Sequence, residues 1–199
     1  MPSSDVAFSP SVKKIQTERG SRAAYERAEA RGGFRSEVDD DLVAILADID
    51  TAFVATVNAD GQPYIQHRGG PPGFIRALDE HTVAFVDFTG NRQYVTTGNL
   101  SDNDRVCVLA IDYATKTRVK IWGRARVVPA TSELVEALAS PGYRAKIEQV
   151  VVIEVTAWDV NCHQHIPQKV DASEVARTIQ TLRDRIAELE RVNSGLQAR

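Results

Sequence analysis

Apolar and polar side chains alternate over residues 118–128, where Val119, Ile121, Gly123, Ala125 and Val127 interleave with Arg118, Lys120, Trp122, Arg124 and Arg126. A period of two marks a half-buried strand, so the apolar set faces a core and the basic set faces something polar, with water as the plain alternative. Residues 105–112 pair with it as a hairpin turning at 113–116. A second hairpin joins residues 52–57 to 63–68, because Asp60-Gly61 tolerates the positive φ of a tight turn. Residues 82–88 form a further strand, and 150–157 are continuously apolar except for Glu154 and Thr156, with Trp158 and Asp159 closing the run. These six runs predict an antiparallel barrel.

Helical spacing appears elsewhere. Leu42, Ile45, Leu46 and Ile49 define an apolar stripe, with Ser36 expected as N-cap and Glu37 and Asp39 to Asp41 in the first turn, where the helix dipole favours carboxylates. This helix should plug one end of the barrel. A short helix is expected over 92–100, with Tyr94 and Thr97 on one face. Another covers 132–138 and ends at Pro141-Gly142-Tyr143. Residues 13–30 would form a helix interrupted by Gly20, at about 1 kcal/mol relative to Ala. Their apolar positions keep no strict stripe, so residues 1–35 read as an extension lying on the barrel or on a partner, its first ten residues disordered; a lid is the alternative. Beyond Asp171, Val175, Ile179, Leu182, Ile186, Leu189, Asn193 and Leu196 follow spacings of four and three, an a/d seam of a long C-terminal helix that favours a two-stranded parallel coiled coil with Asn193 as a polar a position; the alternative is a helix lying along its own barrel. The predicted organisation is an extension over 1–35, a barrel domain over 36–168 and a helix over 169–199.

The totals narrow the function classes. With 24 basic against 27 acidic residues, a net charge of −3 gives no electrostatic footprint for nucleic acid. No apolar run reaches bilayer length and the first residues lack a signal-peptide core, so a cytoplasmic protein without a membrane partner is expected. Cys107 and Cys162 read as reduced thiols rather than a disulfide.

The chemistry concentrates at strand ends. Arg68 and Arg92, each near glycine, suggest a phosphate clamp, since a guanidinium fork matches phosphate oxygens and glycine admits close backbone approach. The bland reading of each is a solvated or surface-paired arginine. If 90–93 is the turn entering a helix, its free backbone N–H groups add to the anion site. A second polar cluster spans 161–167. Cys162, His163 and His165 do not make a zinc site, since no matching Cys or His pair supplies the remaining ligand. No Ser-His-Asp or Cys-His nucleophile arrangement stands out.

Taken in order, DGQPYIQHRGG, FVDFTGNRQY, NLSDNDRV, TRVKIWGRARVV and WDVNCHQHIP resemble the pyridoxamine 5′-phosphate oxidase-like family of FMN-binding split β-barrels, over about residues 40–168. The resemblance implies a mainly β fold with flanking helices, a six-stranded antiparallel split barrel that forms a homodimer with one FMN in each intersubunit cleft. It implies cofactor contacts from Gln66, His67, Arg68, Gly69, Asp87, Phe88, Asn91, Arg92, Gln93, Tyr94, Arg118, Lys120, Gln164 and His165. Arg118 and Lys120 would approach the ring near N1 and C2, and Gln164 and His165 its edge. Gln93 falls where many members carry lysine, one charge fewer. The implied activity is an FMN-dependent oxidoreductase acting on a small substrate, with NADH or NADPH as candidate donor. The alternatives are a non-enzymatic flavin-binding or sensing module, and the same barrel holding FAD, a deazaflavin or haem.

Overall fold

The computed structural model describes residues 3–160 and 163–197. Cys162, read above as a free thiol, lies outside them. The chain divides into two compact units, Met1–Asp112 with Thr117–His163, and Tyr113–Lys116 with Gln164–Arg199.

In the first unit the described residues form seven strands, β1 (Thr51–Val57), β2 (Pro63–Gly69), β3 (Arg76–Asp79), β4 (Thr82–Phe88), β5 (Arg105–Asp112), β6 (Thr117–Pro129) and β7 (Ile147–Val160). They join one antiparallel sheet in the order β2-β1-β5-β6-β7-β4-β3. The six-stranded barrel is corrected in two ways. β3 is an added edge strand, too short at four residues to display an alternation of its own. The sheet also stays open, because no ladder joins β2 to β3 among the described residues.

Side-chain alternation gives the sheet its two faces. Ala52 and Val54, Val83 and Phe85, Val106, Val108 and Ala110, Val119 and Ile121, and Val151 and Ile153 share one core. Helix α3 (Asp40–Asp48) contributes Leu42 and Leu46 to that core, as its stripe predicts. Its cap is Asp39, whose carboxylate accepts from the Leu42 N–H at 3.0 Å, so the expected Ser36 cap is corrected. Arg35 explains the shift: its guanidinium binds Asp39 and Asp41, ordering the acidic turn three residues later than composition suggested. The opposite face of β4 and β7 packs Ala84, Val86, Val150 and Val152 on Leu138 of α5 (Ser132–Leu138). β4 is therefore covered on both faces, which is why Val83 to Val86 read as an unbroken apolar run.

β7 continues past its expected end. Trp158 is fully buried within it, its indole N–H donating to the Glu37 carbonyl at 2.7 Å and the Arg35 guanidinium 4.7 Å from its ring centre. β6 and β7 slip register between Trp122 and Gly123. Glycine is required there, since a Cβ would sit 2.2 Å from the Glu154 carbonyl oxygen.

The N-terminal segment is two helices rather than one interrupted helix, α1 (Pro10–Glu18) and α2 (Arg22–Glu29), parted at Gly20 with φ +80°. A 3-10 turn at Ser3–Val6 precedes them with Ser4 buried, in place of the expected disorder. Phe8 packs edge-on to Tyr25 and Phe34, and Phe34 stacks on Trp122 at 5.2 Å and 6°. The segment thus lies on the outer face of β6.

In the second unit, Lys169 seats its ammonium 4.0 Å from the Tyr113 ring centre and its N–H bonds the Tyr113 carbonyl. A long helix, α6 (Ala172–Gln197), follows.

Candidate functional site

The site begins with the inner face of β2. Arg68, Gln66 and Tyr64 stand opposite Ala52, Val54 and Thr56 of β1, so they share the face that β1 turns to the core. Where β1 supplies the small side chains of Ala52, Val54 and Thr56, β2 supplies an arginine, an amide and a phenol. β4 and β7 end nearby in Asp87 and Gln149, which face each other in register.

One network ties these ends together. Arg68 Nη1 lies 3.2 Å from Asp87 Oδ1. Gln149 Nε2 donates to Asp87 Oδ2 at 2.9 Å and to Thr97 Oγ1 at 3.1 Å. The Tyr64 hydroxyl donates to Gln66 Oε1. Arg68 Nε, however, is buried with no hydrogen-bond partner among the described residues. A buried donor left this way costs about 1–3 kcal/mol, so the arrangement is poised for an added acceptor.

The second wall is the turn from β4 into α4 (Val95–Asp102). Arg92 and Tyr94 both adopt left-handed backbone, with φ of 59° and 54°. Such values are uncommon for bulky residues and cluster at functional sites. Asn91 Oδ1 steadies the turn by accepting from the Gln93 N–H at 3.2 Å. Tyr94 is the N-cap residue, and no side chain among the described residues caps the helix, leaving its positive end open. α4 is fixed in place by buried Asn99, whose Nδ2 donates to Thr56 Oγ1 of β1 at 2.9 Å. The Tyr94 hydroxyl donates to Glu148 Oε1 at 2.7 Å, and that hydrogen bond pushes the phenol above its ordinary range.

Between these walls is a pocket of about 250 Å³. Of the residues singled out from sequence, Gln66, Arg68, Asp87, Phe88, Asn91, Arg92, Gln93 and Tyr94 line it. No residue of the N-terminal segment among those described does. His67 and Gly69 line an adjoining hollow of about 140 Å³ with Arg68, Asp87 and Phe88. The His67 ring also meets Phe53 edge-on, 5.6 Å between centres. Arg118 and Lys120 are on the outer face of β6, opposite Ile111 and Leu109, and do not line the pocket. Arg118 Nε is likewise buried without a partner among the described residues. Beside Lys120, burial raises the Asp159 carboxyl and the Cys107 thiol, and the Lys120 charge offsets part of each shift. Gln164 and His165 belong to the second unit, where His165 takes a φ of 64°.

Tyr64, Glu148 and Gln149 were missed from the sequence. Tyr64 was detectable as the third member of an all-polar alternation with Gln66 and Arg68. Glu148 and Gln149 stand just before the Val150 run, where an apolar strand has no need of two polar residues.

A sequence model of the pyridoxamine 5′-phosphate oxidase family matches residues 38–183. The chain belongs to this family. Among solved structures, HupZ of Group A Streptococcus is 22% identical over 66% of this chain and 99% of its own, with a TM-score of 0.49. An FMN-binding protein from Syntrophomonas wolfei is 12% identical over 76% of this chain and 95% of its own, with a TM-score of 0.48. An F420 reductase is 19% identical over 58% and 94%, with a TM-score of 0.42. No curated protein matches the sequence. Among the described residues, no cluster of three or more His, Cys, Asp or Glu is arranged to hold a metal ion, and no helix is long and apolar enough to cross a membrane.

Proposed function

We propose that this family member binds FMN, with the phosphate in the pocket between β2, β4, α4 and β7, and acts as an oxidoreductase on a small substrate. The observation that carries the reading is the unpartnered Arg68 Nε in a pocket whose opposite wall is the open N-terminus of α4. A doubly charged phosphate satisfies both, accepting from the guanidinium and from first-turn N–H groups. Arg92 adds a second positive charge at the pocket. Asp87, itself held by Gln149, engages one Nη of Arg68, so the ligand meets a partly oriented donor set.

The pocket volume of about 250 Å³ falls below the ~300–1,000 Å³ common for whole ligands. It suits the phosphate end, with the ring held outside. Two copies of the chain would complete that outer part through the sheet's outer face, where half-buried Phe53, Leu109 and Ile111 adjoin Arg118 and Lys120. On this reading the buried Arg118 Nε acquires its acceptor when the cofactor and the second copy are present, and the cations beside the ring favour its reduced, anionic form. Bound flavin supplies the redox chemistry, and the chain supplies orientation and charge.

The test is direct. Purified protein should be yellow and release FMN on denaturation, and NADH or NADPH should bleach it with recovery in oxygen. A colourless protein that takes up no added FMN overturns the flavin reading in favour of another cofactor. A yellow protein that neither nucleotide bleaches, and that turns over no electron acceptor, overturns the enzymatic part in favour of a flavin-binding module.

A further inference from the structure

α6 is 26 residues long, ~39 Å at 1.5 Å per residue, and starts from a built cap: Asp171 Oδ1 accepts from the Ser173 and Glu174 N–H groups at 2.7 and 3.2 Å. Along one side run Val175, Ile179, Leu182, Ile186, Leu189 and Leu196, all exposed, from 42% at Val175 to 66% at Leu196. A solitary surface helix has no use for six large apolar residues in a single exposed row, with Arg177, Arg183, Asp184, Glu188 and Arg191 arranged around them.

The spacing identifies what covers the row. Val175, Leu182, Leu189 and Leu196 occupy every seventh position, and Ile179, Ile186 and Asn193 fall three residues before the last three of them. In heptad terms the first set is d and the second is a. β-Branched residues at a with leucine at d favour two parallel strands, and a single asparagine at a fixes register. The flanking charges agree. Arg185 is a g residue and Glu190 the e residue five positions on, which in a parallel, in-register pair places opposite charges across the seam twice. Asn193 argues against the reverse orientation. Antiparallel overlap of two such helices sets it against the Val175 to Ile179 end, an amide buried among apolar groups, whereas in-register pairing lets the two Asn193 amides bond each other.

We infer that α6 is a pairing helix whose partner is α6 of a second copy of this chain, joined as a parallel two-stranded coiled coil with Asn193 meeting its counterpart. No residue of the row lines the pocket, and the pairing does not depend on the cofactor. About three heptads bind weakly alone, so the coil adds to association of whole chains rather than replacing it.

The test uses the full chain with Cys107→Ser and Cys162→Ser, to which Asn193→Cys is added at the seam or Arg191→Cys on the outward side. Under mild oxidation the seam cysteine should convert most of the protein to a disulfide-linked dimer and the outward cysteine little. Leu182→Glu, at an exposed position where folding is unaffected, should cut seam crosslinking several-fold. Equal crosslinking at both positions, none at residue 193, or crosslinking indifferent to Leu182→Glu overturns the proposal.

Discussion

Arg68 of β2 and Asp87 of β4 meet at 3.2 Å although their strands share no ladder. The contact brings the β2 end of the open sheet back to β4 with side chains where a closed barrel would use backbone. Asp87→Ala leaves a mostly buried guanidinium without its carboxylate. The expected loss is about 1.5–3 kcal/mol of unfolding free energy, as for hydrogen bonds to charged groups, read from urea denaturation of cofactor-free protein. Asp87→Ala as stable as the parent would show that the pair does not hold the sheet ends together.

Arg92 lines the pocket with an exposed side chain. Arg92→Ala should weaken FMN binding by about 1.5–3 kcal/mol, one charge-assisted hydrogen bond, while the circular dichroism spectrum stays that of the parent. Flavin fluorescence titration measures it, and unchanged affinity would remove Arg92 from the phosphate site.

Gly123 has no room for a methyl group, its Cβ position being 2.2 Å from backbone oxygen of Glu154. Gly123→Ala must push β6 from β7 at the bulge. The cost should be about 1–3 kcal/mol, typical of overpacking, and appears as a lowered thermal midpoint.

Tyr94 bonded to Glu148 ionises above the ordinary tyrosine value of 10.0, the hydrogen bond to that carboxylate being the largest cause. For a group whose folded pKa is raised, the stabilisation is present below the unfolded pKa and is lost as pH rises through the folded one. Alkaline titration followed at the phenolate absorbance should therefore contain a late component that Tyr94→Phe removes. Loss of the contact as the phenol ionises should also loosen the turn that carries Arg92.

The ladder strands were legible because a sheet with one buried face must alternate, as residues 118–128 do, and because β4, covered on both faces, must not. β3 was not legible, since four edge residues carry too little pattern. The Asp39 cap was missed for a different reason: any of several acidic or hydroxyl residues can cap, and Arg35, distant from the helix stripe, decides among them. At the site, Arg68 and Arg92 stood out by type and setting. Gln149 did not, because its role depends on register with Asp87, which only the folded sheet supplies.

The chain has two tryptophans, and the fold gives them different duties. Trp122 is stacked under Phe34 of the N-terminal segment, and Trp158 is sealed in the core with its N–H bonded to Glu37. Peeling residues 3–34 away wets the first indole, while Trp158 keeps Arg35 over its ring and its bond to Glu37, so emission from single-tryptophan variants separates release of that segment from collapse of the sheet without any added dye.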